Sequence, residues 1–278
     1  MRNKRMVWLI TGASSGFGKE LTLKLVAYGY RVIATARNPD DITQYLTANE
    51  EVLILPLDVT NKEQVKETVA LAMAHFGQID VLVNNAGIGY FSSIEEADEQ
   101  AVRQLFEVNF WGVKNMIDVV LPFMRTSRTG HIINISSVGG IKAFAGFGYY
   151  HATKFALEGY SESLYQEVLP LGIHVTLIEP GDFTTDFAGR SAKENTTVIA
   201  EYGTTAGKNI QGIRKLSGHQ PGNPTLAAEA IIQMYESPLK HPLRLLLGTD
   251  AYQYANDKIA SLATDYEMGK ELTFSTDY

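Results

Sequence analysis

Short runs rich in Val, Ile and Leu, at residues 6–11, 31–36, 52–57, 79–84, 131–136, 174–179 and 243–248, alternate along this chain with longer stretches of helical spacing. The helical stretches are 16–28, 40–47, 62–76, 99–124, 149–169 and 225–236. In 62–76, Val65, Val69, Ala72 and Phe76 recur at steps of four, three and four, which puts them on one face of a helix. Strands separated by such helices predict β-α-β crossovers and a sheet covered on both faces. The expected fold is α/β: a single doubly wound domain over residues 1–278 with a mainly parallel, seven-stranded sheet. A chain of 278 residues is long enough for one large core, since proteins near this length bury roughly 75% of their unfolded surface.

Residues 182–223 break the alternation. They are polar and rich in Gly, Thr and Ser, and they close on Gly218-His219-Gln220-Pro221-Gly222. A connection this long inside a compact domain is either a lid over a site or a surface insertion, and its place after the carboxyl end of a strand favours a substrate lid. Residues 249–278 are expected to form a C-terminal helix and tail.

Composition removes several classes of function. With 24 Lys+Arg against 31 Asp+Glu the formal charge is −7, which argues against a nucleic-acid backbone as partner. The absence of cysteine excludes disulfides, thiolate nucleophiles and Cys-ligated metal centres. The six histidines show no metal-ligand spacing, and no metal is expected. The apolar run after the basic start stops at Thr11-Gly12, short of the roughly 7–15 residues of a signal sequence. No run reaches the roughly 18 apolar residues of a membrane helix. A cytoplasmic protein without membrane contact is expected.

Four motifs carry chemistry. Thr11-Gly12-Ala13-Ser14-Ser15-Gly16-Phe17-Gly18 follows the first strand and opens the first helix. Alone it is equally a structural turn; in strand-to-helix context, its backbone N–H groups and the helix N-terminus suit a pyrophosphate. At the end of the second strand stand Ala36 and Arg37, where a site for an unphosphorylated ribose would carry Asp or Glu. A guanidinium there is either a solvated strand end or a partner for a 2′-phosphate, and the missing carboxylate favours the phosphate. Asn84-Asn85-Ala86-Gly87 ends the fourth strand, where an open α/β sheet has its ligand crevice. Tyr150 and Lys154 lie four apart on one helix, so an ammonium faces a phenol and can lower its pKa. Such pairs also arise by chance. Ser137 sits at the exit of the fifth strand and can donate to a carbonyl oxygen. Asn109 is a polar residue in an apolar helical stretch, either functional or bonded to its own backbone. His151, beside Tyr150, is expected to be an exposed helix residue.

Together these residues resemble the short-chain dehydrogenase/reductases, over residues 6 to about 248. The resemblance implies a Rossmann-type domain of the NADP-preferring carbonyl reductase type. It implies cofactor contacts from Gly12, Ser14, Ser15, Gly16, Phe17, Gly18, Arg37, Asp58, Val59, Asn85, Ala86 and Gly87, and from Tyr150 and Lys154. In Pro180-Gly181-Asp182-Phe183-Thr184-Thr185 it adds Pro180, Gly181, Phe183 and Thr185, beside the nicotinamide. Asn109, Ser137, Tyr150 and Lys154 match the family's catalytic tetrad, with Tyr150 as general acid/base, Lys154 lowering its pKa and Asn109 holding a relay water. The expected activity is NADP(H)-dependent hydride transfer between nicotinamide and the carbonyl or secondary alcohol carbon of a small apolar ketone or alcohol. A sugar-nucleotide epimerase or dehydratase and a non-catalytic NADP(H)-binding regulator are the alternatives; the complete tetrad counts against the second, and the short stretch after Gly181 against the first. Tyr90, Phe144, Phe147, Phe183 and Phe187 are candidate aromatic walls. The long helices at 99–124 and 149–169 are where family members pair, so a homodimer or homotetramer is expected.

Overall fold

The structure, a computed structural model, describes residues 6–185, 189, 192–194, 199–239 and 241–278. All seven apolar runs become strands of one sheet: β1 (Val7–Ile10), β2 (Arg31–Ala36), β3 (Val52–Pro56), β4 (Val81–Asn84), β6 (Gly130–Ile135), β7 (Ile173–Pro180) and β9 (Arg244–Leu247). Their order is β3-β2-β1-β4-β6-β7-β9. Every pairing is parallel, where a mainly parallel sheet was expected. Chain order reverses between β1 and β4, so the crevice of the sheet opens beyond their carboxyl ends.

Side-chain alternation explains why both faces are covered. Val7 and Leu9 point into one core with Val65 and Val69 of α3 (Lys62–Phe76), Met116 and Val120 of α5 (Gly112–Ser127) and Leu157 and Leu164 of α6 (Gly148–Val168). Trp8 and Ile10 point the other way, toward Leu21 and Leu25 of α1 (Gly16–Ala27) and Ile231 and Ile232 of α8 (Pro224–Glu236). All four strand residues are fully buried, each contributing on the order of 1.5–3 kcal/mol relative to exposure.

The helices begin and end where the local chemistry directs. Asn61 caps α3 by accepting from the backbone N–H groups of Glu63 and Gln64, and Gly77 ends it at φ +74°. Asn223 caps α8, with Pro224 in the first turn. Two expected helices differ. The 40–47 stretch shortens to α2 (Asp40–Thr43), because the chain then turns Tyr45 so that its hydroxyl reaches the Ala13 carbonyl at 2.5 Å. The 99–124 stretch is α4 (Glu99–Phe106) and α5 joined by a π-helical turn, Glu107–Trp111.

The irregular stretch after β7 is partly ordered. Its described residues form β8 (Ala192–Glu194), paired in parallel with β5 (Gly89–Phe91), and α7 (Lys208–Leu216). Ala192 and Ile210 pack on Phe91. The chain closes with α9 (Thr249–Phe274), a single long helix whose buried residues are Ala251 and Ala255 in its first two turns. No helix among the described residues is long and apolar enough to cross a membrane.

Candidate active site

At the carboxyl ends of the strands lies a cleft of about 2010 Å³. Single-ligand pockets run to roughly 300–1,000 Å³, so there is room for two ligands side by side. The first wall is the turn after β1. Gly12 and Gly16 adopt φ +67° and +55°, conformations that side chains resist. A Cβ on Gly12 would lie 2.8 Å from Ala86 Cα. Thr11 Oγ1 accepts from the N–H groups of Asn85 and Ala86, both at 3.0 Å, and Asn85 Nδ2 donates to the carbonyls of Thr11 and Gly12, both at 2.9 Å. The turn is thus tied to the end of β4. Ser15 begins α1 without capping it, and no acidic residue occupies the first turn. The amides there are left free for an anion, aided by the helix dipole.

Ser14, Ser15, Phe17, Arg37, Asp58, Val59, Asn85, Ala86 and Gly87 line this part of the cleft with Gly12 and Gly16. Gly18 does not. It is buried between the Gly12 carbonyl and the Asn85 amide, where a Cβ would collide with both. It permits close packing of α1 on the turn at the position where the sequence reading expects a cofactor contact. Arg37 is exposed at the rim. Lys19 also lines the cleft, with its ammonium 4.7 Å from the Tyr45 ring centre. This cation was not singled out in the sequence, because it sits on a helix among ordinary surface charges. Asp58 accepts from Thr60 N at 2.9 Å and Thr60 Oγ1 at 2.7 Å, which fixes its carboxylate at the wall. The residue types fit a dinucleotide phosphate group: an uncapped helix start, close-packed glycines and a rim of cations.

The second wall holds the expected reactive groups. Ser137 leaves β6 in extended conformation, and its hydroxyl accepts from Gly139 N at 2.9 Å. Tyr150, on α6, is hydrogen-bonded to Ser137, and burial pushes its pKa up to about 12. This reverses the lowering expected from its lysine partner. Lys154 Nζ lies 5.8 Å from the Tyr150 ring centre and donates to the Ile135 carbonyl at 2.8 Å. Burial lowers its own pKa to about 8, opposed by Glu158 one turn further along α6. Asn109 is buried behind the cleft, on the π-helical turn. Its Oδ1 accepts from Ile88 N at 2.9 Å, and its Nδ2 donates to Ile88 O at 3.0 Å and Thr153 Oγ1 at 3.2 Å. It clamps the chain after β4 against α6. π-Turns of this kind are frequent at functional sites.

Pro180, Gly181, Phe183 and Thr185 complete the rim. Phe183 meets Phe17 edge to face at 5.0 Å. The Asp250 carboxylate accepts from Asp182 N at 2.7 Å, so the start of α9 anchors this segment. Of the expected aromatic walls, Phe144, Phe147 and Phe183 line the cleft. Tyr90 does not: it is buried, and its hydroxyl accepts from Asp98 N at 2.8 Å. Phe187 lies outside the described residues, as do parts of the expected lid. The described lid residues Lys193, Lys208, Asn209, Ile213 and Leu216 line the cleft opening. His151 overturns its expectation: it is 5% exposed and faces the cleft, packed among Phe144, Phe147 and Tyr150. Among the described residues no cluster of three or more His, Asp or Glu side chains could hold a metal ion.

This chain is similar to known proteins. A model of the short chain dehydrogenase family matches residues 6–196. An oxidoreductase of Botryotinia fuckeliana is 36% identical over 272 residues, 97% of this chain and 98% of that protein. A 3-ketodihydrosphingosine reductase of Bacteroides thetaiotaomicron is 43% identical over 208 residues, 74% of this chain and 75% of its own. The crystal structure of a short-chain dehydrogenase from Streptomyces avermitilis has a TM-score of 0.91 to this chain at 38% identity, covering 100% of both. With the family's glycine-rich turn, its parallel sheet and a tyrosine–lysine pair on one helix, this chain belongs to the short-chain dehydrogenase family.

Proposed function

We propose that this protein is an NADP(H)-dependent oxidoreductase that interconverts a ketone and a secondary alcohol on an apolar substrate, with Tyr150 as general acid/base. The observation that carries the reading is the hydrogen-bonded pair of hydroxyls, Ser137 and Tyr150, at the cleft with Lys154 buried beside them. Two donors at one point are what a carbonyl oxygen needs as negative charge develops on it. The turn at Gly12–Gly16, the start of α1, and Asp58, Asn85 and Thr185 would hold the dinucleotide, with Arg37 and Lys19 beside its 2′-phosphate. When bound, its nicotinamide supplies or accepts the hydride.

The protein's own groups do the rest. Ser137 holds the substrate oxygen, and Tyr150 gives it a proton as the alcohol forms. A phenol with a pKa near 12 is protonated throughout the neutral range, the form that acts as the acid when a ketone is reduced. Lys154 keeps a positive charge beside the phenolate left behind. Asn109 positions the backbone on which these groups stand. Phe144, Phe147 and Phe183 support an apolar substrate, as does the similarity to a 3-ketodihydrosphingosine reductase. We place the reaction in the cytoplasm, in a homodimer or homotetramer that would cover exposed Trp111, Phe123 and Phe155.

The test is NADPH consumption with a panel of long-chain and aromatic ketones, using wild type, Tyr150→Phe and Tyr149→Phe. Tyr150→Phe should lose about 10²–10⁴-fold in turnover while binding NADPH as wild type does, and Tyr149→Phe should be mild. Full turnover in Tyr150→Phe would overturn the assignment.

A further inference from the structure

Glu158 is a carboxyl group on α6, only 7% exposed, that the proposed chemistry does not use. It stands four residues after Lys154 and eight after Tyr150, so successive turns of one helix face carry Tyr150, Lys154 and Glu158. All three grip the same short stretch where the chain leaves β6. Tyr150 is hydrogen-bonded to Ser137, Lys154 Nζ donates to the Ile135 carbonyl at 2.8 Å, and Glu158 Oε1 accepts from the Ser136 hydroxyl at 2.5 Å. The first two belong to the proposed reaction. The third does not, and a carboxyl buried this deeply is costly, so its placement calls for an explanation.

The contacts of Glu158 lie on both flanks of Ser137. Before Ser137, Ser136 is held twice, by its hydroxyl on Glu158 and by its backbone N–H on the Ile178 carbonyl at 2.8 Å. After it, the 3₁₀ turn Val138–Gly140 closes with Gly140 N donating to the Ser137 carbonyl at 2.8 Å. A Cβ on Gly140 would lie 2.9 Å from Ser136 Oγ and 3.0 Å from Glu158 Cγ, so this turn sits directly on the Ser136–Glu158 bond. Glu158 is fixed in its turn by two further strands. Arg244 Nε of β9 reaches its Oε2 at 3.2 Å, and Glu179 of β7 is hydrogen-bonded to it. The backbone of Ser137 thus runs between two points that both rest on one buried side chain.

We infer that Glu158 is a positioning residue for the reaction: through Ser136 it sets the strand exit from which Ser137 reaches the substrate oxygen. The inference rests on the ketone-reductase reading, which gives Ser137 that role. It adds to Tyr150 and Lys154 a third residue one turn further along α6, acting through another side chain and not on substrate. Position matters here because a displacement of about 1 Å in a reacting group can cost on the order of a hundredfold in rate.

The experiment measures kcat with NADPH and the fastest ketone of the long-chain and aromatic panel. The enzymes are wild type, Ser136→Ala, Ser137→Ala, Glu158→Gln, and the pairs Ser136→Ala/Ser137→Ala and Ser136→Ala/Glu158→Gln. Active protein is counted in each preparation by NADPH binding, so unfolded chains do not lower kcat. Ser136→Ala should lose about tenfold to a hundredfold in kcat, the effect of one charge-assisted hydrogen bond, with NADPH affinity close to wild type. In Ser137→Ala the hydroxyl to be positioned is gone, so adding Ser136→Ala should cost little more. A general loosening of the fold would cost the same in both backgrounds. Glu158→Gln keeps an acceptor without the charge, and its loss should be smaller in Ser136→Ala than in wild type. Any effect of that charge on Lys154 is common to both backgrounds and cancels. Wild-type kcat in Ser136→Ala, an equal loss from Ser136→Ala with and without the Ser137 hydroxyl, or independent effects of Ser136→Ala and Glu158→Gln would each overturn the inference alone. The serine pair tests it even where Glu158→Gln does not fold. A wild type that reduces none of the ketones overturns the ketone-reductase reading and this inference with it.

Discussion

Replacing Glu179 by Gln should stabilise this protein at neutral pH, and the gain should disappear in mild acid. Glu179, on β7, is 1% exposed, and Glu158, on α6, is 7% exposed. The two carboxyl groups are hydrogen-bonded to one another. Arg244 serves both, with Nε 3.2 Å from Glu158 and 3.4 Å from Glu179, while its Nη2 is committed to Glu162 at 2.6 Å. One guanidinium thus faces three carboxyls, and two of these are buried. Burial and the neighbouring Glu158 push the Glu179 pKa from 4.5 up to about 8. The folded state therefore binds a proton that the unfolded chain has released, and stability falls as pH rises from 4.5 toward 8. Each pH unit is worth about 1.4 kcal/mol, so by pH 7 the native state has lost about 3 kcal/mol. Glutamine cannot ionise, and its amide can donate to Glu158 as the protonated acid does. It also weakens the hold on Arg244, so a net gain of about 1–3 kcal/mol is expected. For a chain of this length that is a rise in Tm of about 2–5 °C. Thermal unfolding of wild type and Glu179→Gln from pH 4.5 to 8.5, at fixed ionic strength, reads the difference directly. A variant less stable than wild type at neutral pH, or a gain as large at pH 4.5 as at 8, would refute the shared-proton account.

Arg37→Ala should weaken NADPH by about tenfold to a hundredfold, the worth of a charge-assisted hydrogen bond, and leave NADH nearly unaffected; the ratio of kcat/KM for the two cofactors measures it. Lys19, on the same cleft wall, sets the lower end of that range. His131, buried on β6 beside His174 and His241, is held well below the ordinary histidine pKa by burial and by those neighbours. The unfolded chain takes up a proton that the native state refuses, so this stability is present above about pH 6.5 and is lost as pH falls below it. His131→Phe should flatten the acid limb of a stability–pH curve, and an unchanged slope would count against the assignment. Gly18→Ala should cost about 1–3 kcal/mol through overpacking and weaken NADPH binding by opening the Asn85–Gly12 contact, both readable from thermal shifts with and without cofactor.

The strands were legible because their signal is local. In Val7-Trp8-Leu9-Ile10 every residue is apolar, which already implies burial on both faces, and the structure divides them into two cores. That Tyr150, Lys154, Ser137 and Asn85 line one cleft was legible for the same reason: Tyr150 and Lys154 share one helix, and Ser137 and Asn85 leave strand ends. What escaped depends on contacts far apart in the chain. The β5–β8 pair joins Gly89 to Ala192 through three-residue strands, too short to show a period. The π-helical turn at Glu107–Trp111 adds only one residue to a helical repeat, so periodicity reads straight through it. The misreading of His151 is instructive in another way. A residue next to Tyr150 points about 100° away from it around the helix, which in a half-exposed helix means solvent. In α6 that direction is covered by the turn at Gly139, by Phe144 and by Phe147. Gly18 shows the limit of motif reading: spacing identifies three glycines but not that one of them is buried where a Cβ would collide with the Gly12 carbonyl and the Asn85 amide.

The charges behind the candidate active site form one connected system, and this bears on why a lysine can be buried there. Lys154 spends one donor on the Ile135 carbonyl, and among the described residues it makes no ion pair with a carboxylate. Left to burial alone, it would lose its proton readily. Glu158 lies one helical turn away and opposes that loss, but a bare carboxylate there would itself be costly in so dry a place. Its burden is spread: Ser136 donates to it at 2.5 Å, Arg244 reaches it from β9, and Glu179 shares a proton with it. Two carboxyls with one proton present a single negative charge between two cations, Lys154 toward the cleft and Arg244 toward the surface. Ionising Glu179 as well would add a charge with no counterion. Neutralising Glu158 would instead leave Lys154 as the uncompensated one. The raised pKa of Glu179 is therefore the electrostatic counterpart of a lysine kept charged beside Tyr150, and strands β7 and β9 contribute to the electrostatics of α6 without touching the cleft at those positions.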